Sequence, residues 1–162
     1  MKIDSITFSP NCQKITIVVS DVTANSVIIK YENLISTTEY TTANLAPVDN
    51  IVTWEAYYDT LEEESSINGV VNIQVTPSVG STQSASAVAS CELYCCVAKL
   101  VEEGINCSCK CSKCDEDIRT AEKVHLLIKS AEASANQGND SDAVDKYNKA
   151  KTYCTSTCGC GC

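Results

Sequence analysis

The N-terminal part of the chain alternates apolar and polar residues with the period of a β-strand. At residues 14–20, for example, Ile15, Ile17 and Val19 fall on one face. Runs of this kind, rich in Val, Ile, Thr and aromatic residues, predict strands at residues 3–8, 14–20, 26–31, 39–42, 51–58 and 70–76. Because turn residues and no helical pattern separate these runs, we expect an antiparallel, immunoglobulin-like β-sandwich over residues 1–77.

Two features of the predicted sandwich, its aromatic residues and an acidic run, could be structural or could form a binding site. Trp54 and Tyr57 are expected in its core, since aromatic residues at strand spacing are usually buried, although they would also suit a ligand groove. The acidic run within residues 61–69 predicts a solvated loop, with a site for a hard cation as the alternative. Neither feature makes a catalytic arrangement.

The pattern changes beyond residue 77. Residues 78–85 are rich in Ser and Gly and are predicted to be a linker. Helix formers and 3.6-residue spacing then predict a helix at 86–103 that ends at Gly104, and two more at about 115–136 and 140–153, joined by Gln137–Asp140. The expected fold class is therefore α+β, a sandwich followed by a cysteine-rich three-helix domain over residues 86–162.

Composition narrows the possible functions. The 162 residues carry a formal charge of -9, which disfavours unspecific binding to nucleic acids or anionic membranes. No apolar run approaches the roughly 20 residues that span a bilayer, and the start of the chain does not resemble a secretion signal. We therefore expect a soluble protein made in the cytoplasm.

Cysteine is the most informative residue type, because only Cys12 of the 12 cysteines precedes residue 91. Two dense clusters flank the last two predicted helices, and an antiparallel hairpin brings both clusters to one end. Closely spaced thiolates from two segments suit tetrahedral Zn²⁺, so we predict two structural zinc ions per chain. The predicted ligands are Cys107, Cys109, Cys111, Cys114, Cys154, Cys158, Cys160 and Cys162.

Other roles for the thiols remain open. They include disulfides formed after cell lysis or export, an iron-sulfur or copper site, and a redox enzyme that uses Cys111 and Cys114. Cys91 and Cys95 share a helix face and suit either the core or metal ligation. His125 is expected to be a half-buried helix residue. Since no nucleophile, base and oxyanion donor come together in the pattern, we expect no enzymatic activity.

Residues 135–150, with Gly138, Ala143, Tyr147 and Ala150 at matching places, resemble the centre of a single tetratricopeptide-type helix pair. Repeats of this kind need neighbours to bury their apolar faces. The resemblance therefore implies a helical hairpin, with the predicted helix at 86–103 as its partner. It does not imply a peptide-binding superhelix.

The segment from Cys107 to Lys129, with its cysteine-rich tail, resembles the C-terminal part of small structural proteins of large tailed bacteriophages, including the crAss-like group. This resemblance implies a virion protein assembled in the bacterial cytoplasm. It further implies a symmetric ring of copies at the head-to-tail connection or tail, in contact with portal or tail ring subunits. The alternatives are a monomeric zinc-dependent interaction adaptor and a metal buffer of metallothionein type.

Overall fold

A computed structural model describes residues 1–36, 40–61, 66–106 and 112–157 of the chain, with only the backbone at 112–115 and 155–157. Within these ranges the chain forms a β-sandwich followed by helices. The strands are β1 (Lys2–Phe8), β2 (Lys14–Ser20), β3 (Val27–Asn33), β4 (Thr41–Leu45), β5 (Val52–Tyr57), β6 (Gly69–Pro77) and β7 (Gln83–Ala89). A short 3-10 helix, Tyr58–Leu61, follows β5.

The strands form two antiparallel sheets, one in the order β1-β2-β5 and the other in the order β4-β3-β6-β7. The hairpins β1-β2, β3-β4 and β6-β7 are joined by connections that cross from sheet to sheet, as in immunoglobulin-like sandwiches. Together with the helices that follow, this architecture confirms the predicted α+β class.

Large aliphatic side chains fill the space between the sheets. Ile15, Ile17 and Val19 of β2 are fully buried, as their alternation predicts. Trp54 is half-buried and packs against this core. Tyr57 is 52% exposed, so its predicted core position is wrong. Residues three apart on a strand point to opposite faces, and Trp54 faces inward.

The second sheet contains a strand that the sequence pattern did not predict. The linker predicted at 78–85 includes the first residues of β7, and the helix start predicted at 86 is wrong because β7 runs to Ala89. β7 pairs antiparallel with β6, placing Ala85 opposite Ile73 and Ala87 opposite Val71. Its side chains are largely alternating Ser and Ala, whose small difference in hydrophobicity is a weak strand signal, and pairing with β6 outweighs the helix propensity of alanine.

Three helices follow the sandwich: α1 (Cys91–Ile105), α2 (Ser112–Asn136) and α3 (Asp140–Thr157). α2 ends in a left-handed residue, Gly138, at φ 73°. The Gly138 N–H donates to the carbonyl of Ala135 and the Asn139 N–H to that of Ser134, both at 2.9 Å. These are the two bonds of a Schellman cap. The turn predicted between the last two helices is thereby confirmed.

The helices enclose a second core, which α1 completes by packing against the α2–α3 hairpin. Val70 of β6 belongs to this core, whereas Val71 and Ile73 belong to the core of the sandwich. β6 is therefore covered on both faces, by the other sheet and by helices. None of the described helices is long and apolar enough to cross a membrane.

Candidate functional site

Of the eight predicted metal ligands, only Cys154 has a described side chain. The other seven positions divide into two groups. Cys114 contributes backbone to α2, but its side chain lies outside the described residues. The remaining predicted ligands, Cys107, Cys109, Cys111, Cys158, Cys160 and Cys162, lie outside them entirely.

Cys154 forms a disulfide with Cys96 of α1, with the two Cα atoms 6.0 Å apart. Both side chains are buried, at 4% and 0% exposure. A disulfide sulfur is not a thiolate and does not act as the predicted Zn²⁺ ligand. Among the described residues, no group of three or more His, Cys, Asp or Glu side chains is arranged to hold a metal ion. The prediction of two structural zinc ions is therefore wrong, and the described cysteines are cross-linked instead.

A second disulfide joins Cys12, between β1 and β2, to Cys91 at the start of α1. Two hydrogen bonds reinforce this junction. The Ile67 N–H donates to the Cys12 carbonyl at 2.7 Å. The side-chain oxygen of Asn68 accepts from the Glu92 N–H at 3.0 Å. The N–H groups in the first turn of a helix have no partner within the helix. Asn68 accepts a hydrogen bond from one of these groups in α1.

Cys95 is disulfide-bonded as well. All the cysteines of α1, Cys91, Cys95 and Cys96, are therefore cross-linked rather than metal ligands. Cys91 also packs against the core of the sandwich, which is the other role predicted for it. One bond leads from α1 to the sandwich and another to α3. Within the described residues, both of these disulfides therefore lead to α1.

Two other predictions about possible sites have different outcomes. His125 is exposed rather than half-buried, and its ring lies at 62° to the ring of Tyr94, with the two centroids 6.0 Å apart. The acidic run, Glu62 to Glu64, lies outside the described residues. The cation site considered there stays untested.

The surface between α1 and α2 carries an apolar groove of about 500 Å³. Val97 and Val101 of α1 line one side, and Ile118 and Leu126 of α2 line the other. Leu126 is 68% exposed and Val101 37% exposed, so the apolar side chains of this groove are open to solvent. Contiguous exposed apolar surface commonly marks a site of protein association, and this groove is a candidate for one.

A comparison of the chain with known protein families and with curated protein sequences found no match. The candidate sites therefore stand on their geometry, and any function is inferred from that geometry and from the sequence.

Proposed function

We propose that the chain is a non-enzymatic structural protein of a tailed-phage virion, present in several copies as a ring at the head-to-tail connection or tail. Its partners are further copies of itself and other ring subunits of the particle. The observation that carries the proposal is the cross-linking of α1 to both the sandwich and α3. Each cross-link holds two parts of the chain in a fixed relative position, as a building block requires.

The disulfides also support an extracellular particle. Disulfides are rare in the reducing cytoplasm and persist in secreted proteins and on virion surfaces. A phage protein is synthesised in the cytoplasm and meets oxidising surroundings once the host cell lyses. The Cys12–Cys91 and Cys96–Cys154 bonds then form in an already folded chain.

The surface supports a head-to-tail contact between copies. Beyond β4, residues 48–51 form a tight hairpin in which the Val48 and Ile51 backbones exchange two hydrogen bonds of 2.9 Å. Asp49 and Asn50 adopt positive φ at its tip, as a two-residue turn requires. Val48 is 74% exposed and Ile51 46% exposed. In our proposal this apolar tip enters the α1–α2 groove of the next copy, a heterologous contact that closes into a ring.

Substitutions on the two surfaces test the contact. Native mass spectrometry of the oxidised wild-type chain is expected to show an oligomer of fixed size, whereas Val48→Asp and Leu126→Asp are each expected to remain monomeric. Val79→Asp, at a valine that is 81% exposed and outside both surfaces, is the control and keeps the oligomer.

Mixing the two monomeric variants tests whether the tip of one copy enters the groove of another. The tip is unchanged in the Leu126→Asp chain and the groove is unchanged in the Val48→Asp chain. One intact tip-in-groove contact therefore forms between the two variants, and the mixture gives a dimer. A mixture that stays monomeric contradicts the head-to-tail contact. A wild-type chain that is monomeric at all concentrations contradicts the ring and favours an adaptor that acts as a monomer.

The virion assignment has its own test. Purified phage particles from a host that produces the chain are digested and searched for its peptides by mass spectrometry. We expect these peptides in the particles at a fixed ratio to the portal subunit. Their absence from particles, when the lysate contains them, contradicts the assignment whatever the oligomeric state.

A further inference from the structure

The α1–α2 groove is lined by apolar residues except for two exposed side chains, Glu122 and His125, which lie three residues apart on α2. Neither forms a hydrogen bond or an ion pair with another residue that the structure describes. Residues at this spacing are neighbours on one face of a helix. The groove therefore presents one imidazole and one carboxylate side by side on a surface that is otherwise apolar.

The tip of residues 48–51 carries two polar side chains as well. Asp49 and Asn50 are exposed and lie between Val48 and Ile51. Both have positive φ, 52° and 63°, and a turn of this kind favours Asn, Asp or Gly. Turn geometry therefore explains a small polar residue at position 49, but Asn or Gly would meet the same requirement without a negative charge.

The charge of Asp49 opposes a contact between copies unless the other surface compensates for it. Each copy has a formal charge of -9, so the copies repel one another on average. A carboxylate only accepts hydrogen bonds, and an imidazole always carries at least one N–H donor. His125 is thus the polar residue of the groove that suits Asp49.

Asn50 suits the other polar residue of the groove, because its amide supplies two N–H donors and the Glu122 carboxylate accepts. The Cβ atoms of Glu122 and His125 lie roughly 5–6 Å apart at this helical spacing, and the Cα atoms of Asp49 and Asn50 lie about 3.8 Å apart. The two pairs can therefore form side by side. In the opposite orientation Asp49 faces Glu122, and the two carboxylates repel each other.

We propose that these two pairs fix the register in which the tip of one copy enters the groove of the next, with His125 donating to Asp49 and Asn50 donating to Glu122. The inference rests on the tip-in-groove contact proposed above. Burial of Val48 in the groove is favourable but has no preferred direction, whereas the polar pairs admit one orientation. A ring closes only when every contact repeats the same rotation, so a single orientation is what a ring requires.

The test uses the mixed dimer of the Leu126→Asp chain, which supplies the tip, and the Val48→Asp chain, which supplies the groove. This dimer contains one contact, so calorimetric titration of one chain with the other gives one dissociation constant. His125→Glu in the groove chain is expected to weaken the dimer roughly tenfold or more, because a carboxylate replaces the donor opposite Asp49. His125→Gln keeps an N–H donor and is expected to stay within about threefold of the parent pair.

Charge reversal in the tip chain should then restore binding. With His125→Glu in the groove chain, Asp49→Lys in the tip chain is expected to return the affinity to within about threefold of the parent pair, because opposite charges face each other again. Asp21→Lys is the matched control, since Asp21 is also exposed, has a positive φ of 54°, and gives the same change in net charge. Equal recovery with Asp21→Lys, or no recovery with Asp49→Lys, contradicts the assigned pair.

The second pair has a test of the same kind. Asn50→Asp in the tip chain places a carboxylate opposite Glu122 and should weaken the dimer about tenfold, and Glu122→Gln in the groove chain should restore it. A dimer whose affinity is unchanged by all these substitutions contradicts the inference and leaves the tip-in-groove contact standing. A parent mixture that does not dimerise contradicts the contact itself, and the inference with it.

Discussion

The sandwich and the helical layer differ in what fills their interiors. Isoleucine, valine and leucine side chains dominate the buried interior between the sheets. Alanines occupy much of the helical interior, at Ala121, Ala135, Ala143 and Ala150, beside the buried Cys96–Cys154 disulfide. Burial of a larger side chain removes more apolar area from water and so stabilises more. The sandwich is therefore held mainly by packing, whereas the helices depend on cross-links to a greater extent.

The largest effect that tests this contrast is removal of the Cys96–Cys154 bond. The bond closes a loop with a sequence separation of 58, so Cys96→Ala combined with Cys154→Ala is expected to lower the free energy of unfolding by about 4 kcal/mol. Hydrogen exchange should show the loss in α1 and α3, while amides of β2 and β3 keep their protection. An equal loss of protection in both parts contradicts the contrast.

The next largest loss of stability is expected where the sandwich is closely packed around Gly69. Gly69 of β6 has φ 132°, and a Cβ there would lie 2.6 Å from Asn33 Oδ1. Asn33 cannot move freely, because its side chain bonds to the Asn68 carbonyl at 2.8 Å and to the Ile35 N–H at 3.0 Å. Gly69→Ala is expected to cost about 3 kcal/mol in chemical denaturation, through backbone strain and this clash.

Gly138 provides the matched control in the helical layer. Its φ of 73° is also left-handed, but nothing lies within 4 Å of a Cβ at this position. Gly138→Ala should therefore cost only the backbone term, about 1 kcal/mol. Equal costs at the two glycines would show that close packing around Gly69 does not matter.

Tyr147 gives a smaller effect of opposite sign. The side chain is 1% exposed, and its hydroxyl has no hydrogen-bond partner among the residues that the structure describes. Tyr147→Phe removes an unsatisfied polar group without changing the shape, so thermal unfolding should show unchanged stability or a gain of up to about 1 kcal/mol. A clear loss would reveal a partner for the hydroxyl, such as a bound water.

Burial, with a smaller contribution from the nearby charge of Glu92, raises the pKa of Tyr147 above its ordinary value of 10.0. As the pH rises above 10.0, the unfolded chain releases this proton before the folded chain does, so the folded state loses stability. Tyr147→Phe should lose less stability than wild type over this alkaline range.

The smallest expected effect is on the exposed surface of α3. A hydrogen bond from Lys146, and a further one from Ser134, lower the pKa of Asp142 below its ordinary value of 3.8. This stabilisation is fully present above pH 3.8 and is lost as the pH falls through the lower pKa of the folded state. Asp142→Asn should make the free energy of unfolding depend slightly less on pH in the acid range. This difference from wild type should shrink at high salt, which screens the charge of Lys146. A steeper acid transition in the variant would contradict this sign.

The fold was largely predictable because most of its elements are encoded locally. The alternation of Ile15, Ile17 and Val19 places β2 correctly, and Gly138 marks the end of α2. β7 was missed because Ser and Ala carry little pattern, and its structure depends on β6, a neighbour in space. The outward orientation of Tyr57 follows from the same strand periodicity and was available from its spacing to Trp54.

The cysteine chemistry was not predictable from spacing. Dense clusters suggested local metal sites, whereas Cys12 pairs with Cys91 across a separation of 79 residues. Cys96 has Cys95 beside it in the sequence but bonds to Cys154. Pairings of this kind depend on tertiary contacts and on the redox environment, and the spacing of cysteines along the chain determines neither. The hydrogen bond between Asn72 and Asp140 was missed for a similar reason, because these residues meet only in the fold.

The central claim is that disulfides, and not metal, join α1 to the rest of the molecule. The most direct measurement is disulfide mapping by mass spectrometry, with free thiols alkylated before digestion. Cleavage after Tyr94 separates Cys91 from Cys95 and Cys96, so the Cys12–Cys91 bond yields its own linked peptide pair. We predict a second linked species in which the peptide that carries Cys95 and Cys96 is bonded to the peptide that carries Cys154 and to the partner of Cys95. Alkylated Cys12, Cys91, Cys96 and Cys154 in protein that was never reduced would contradict the claim.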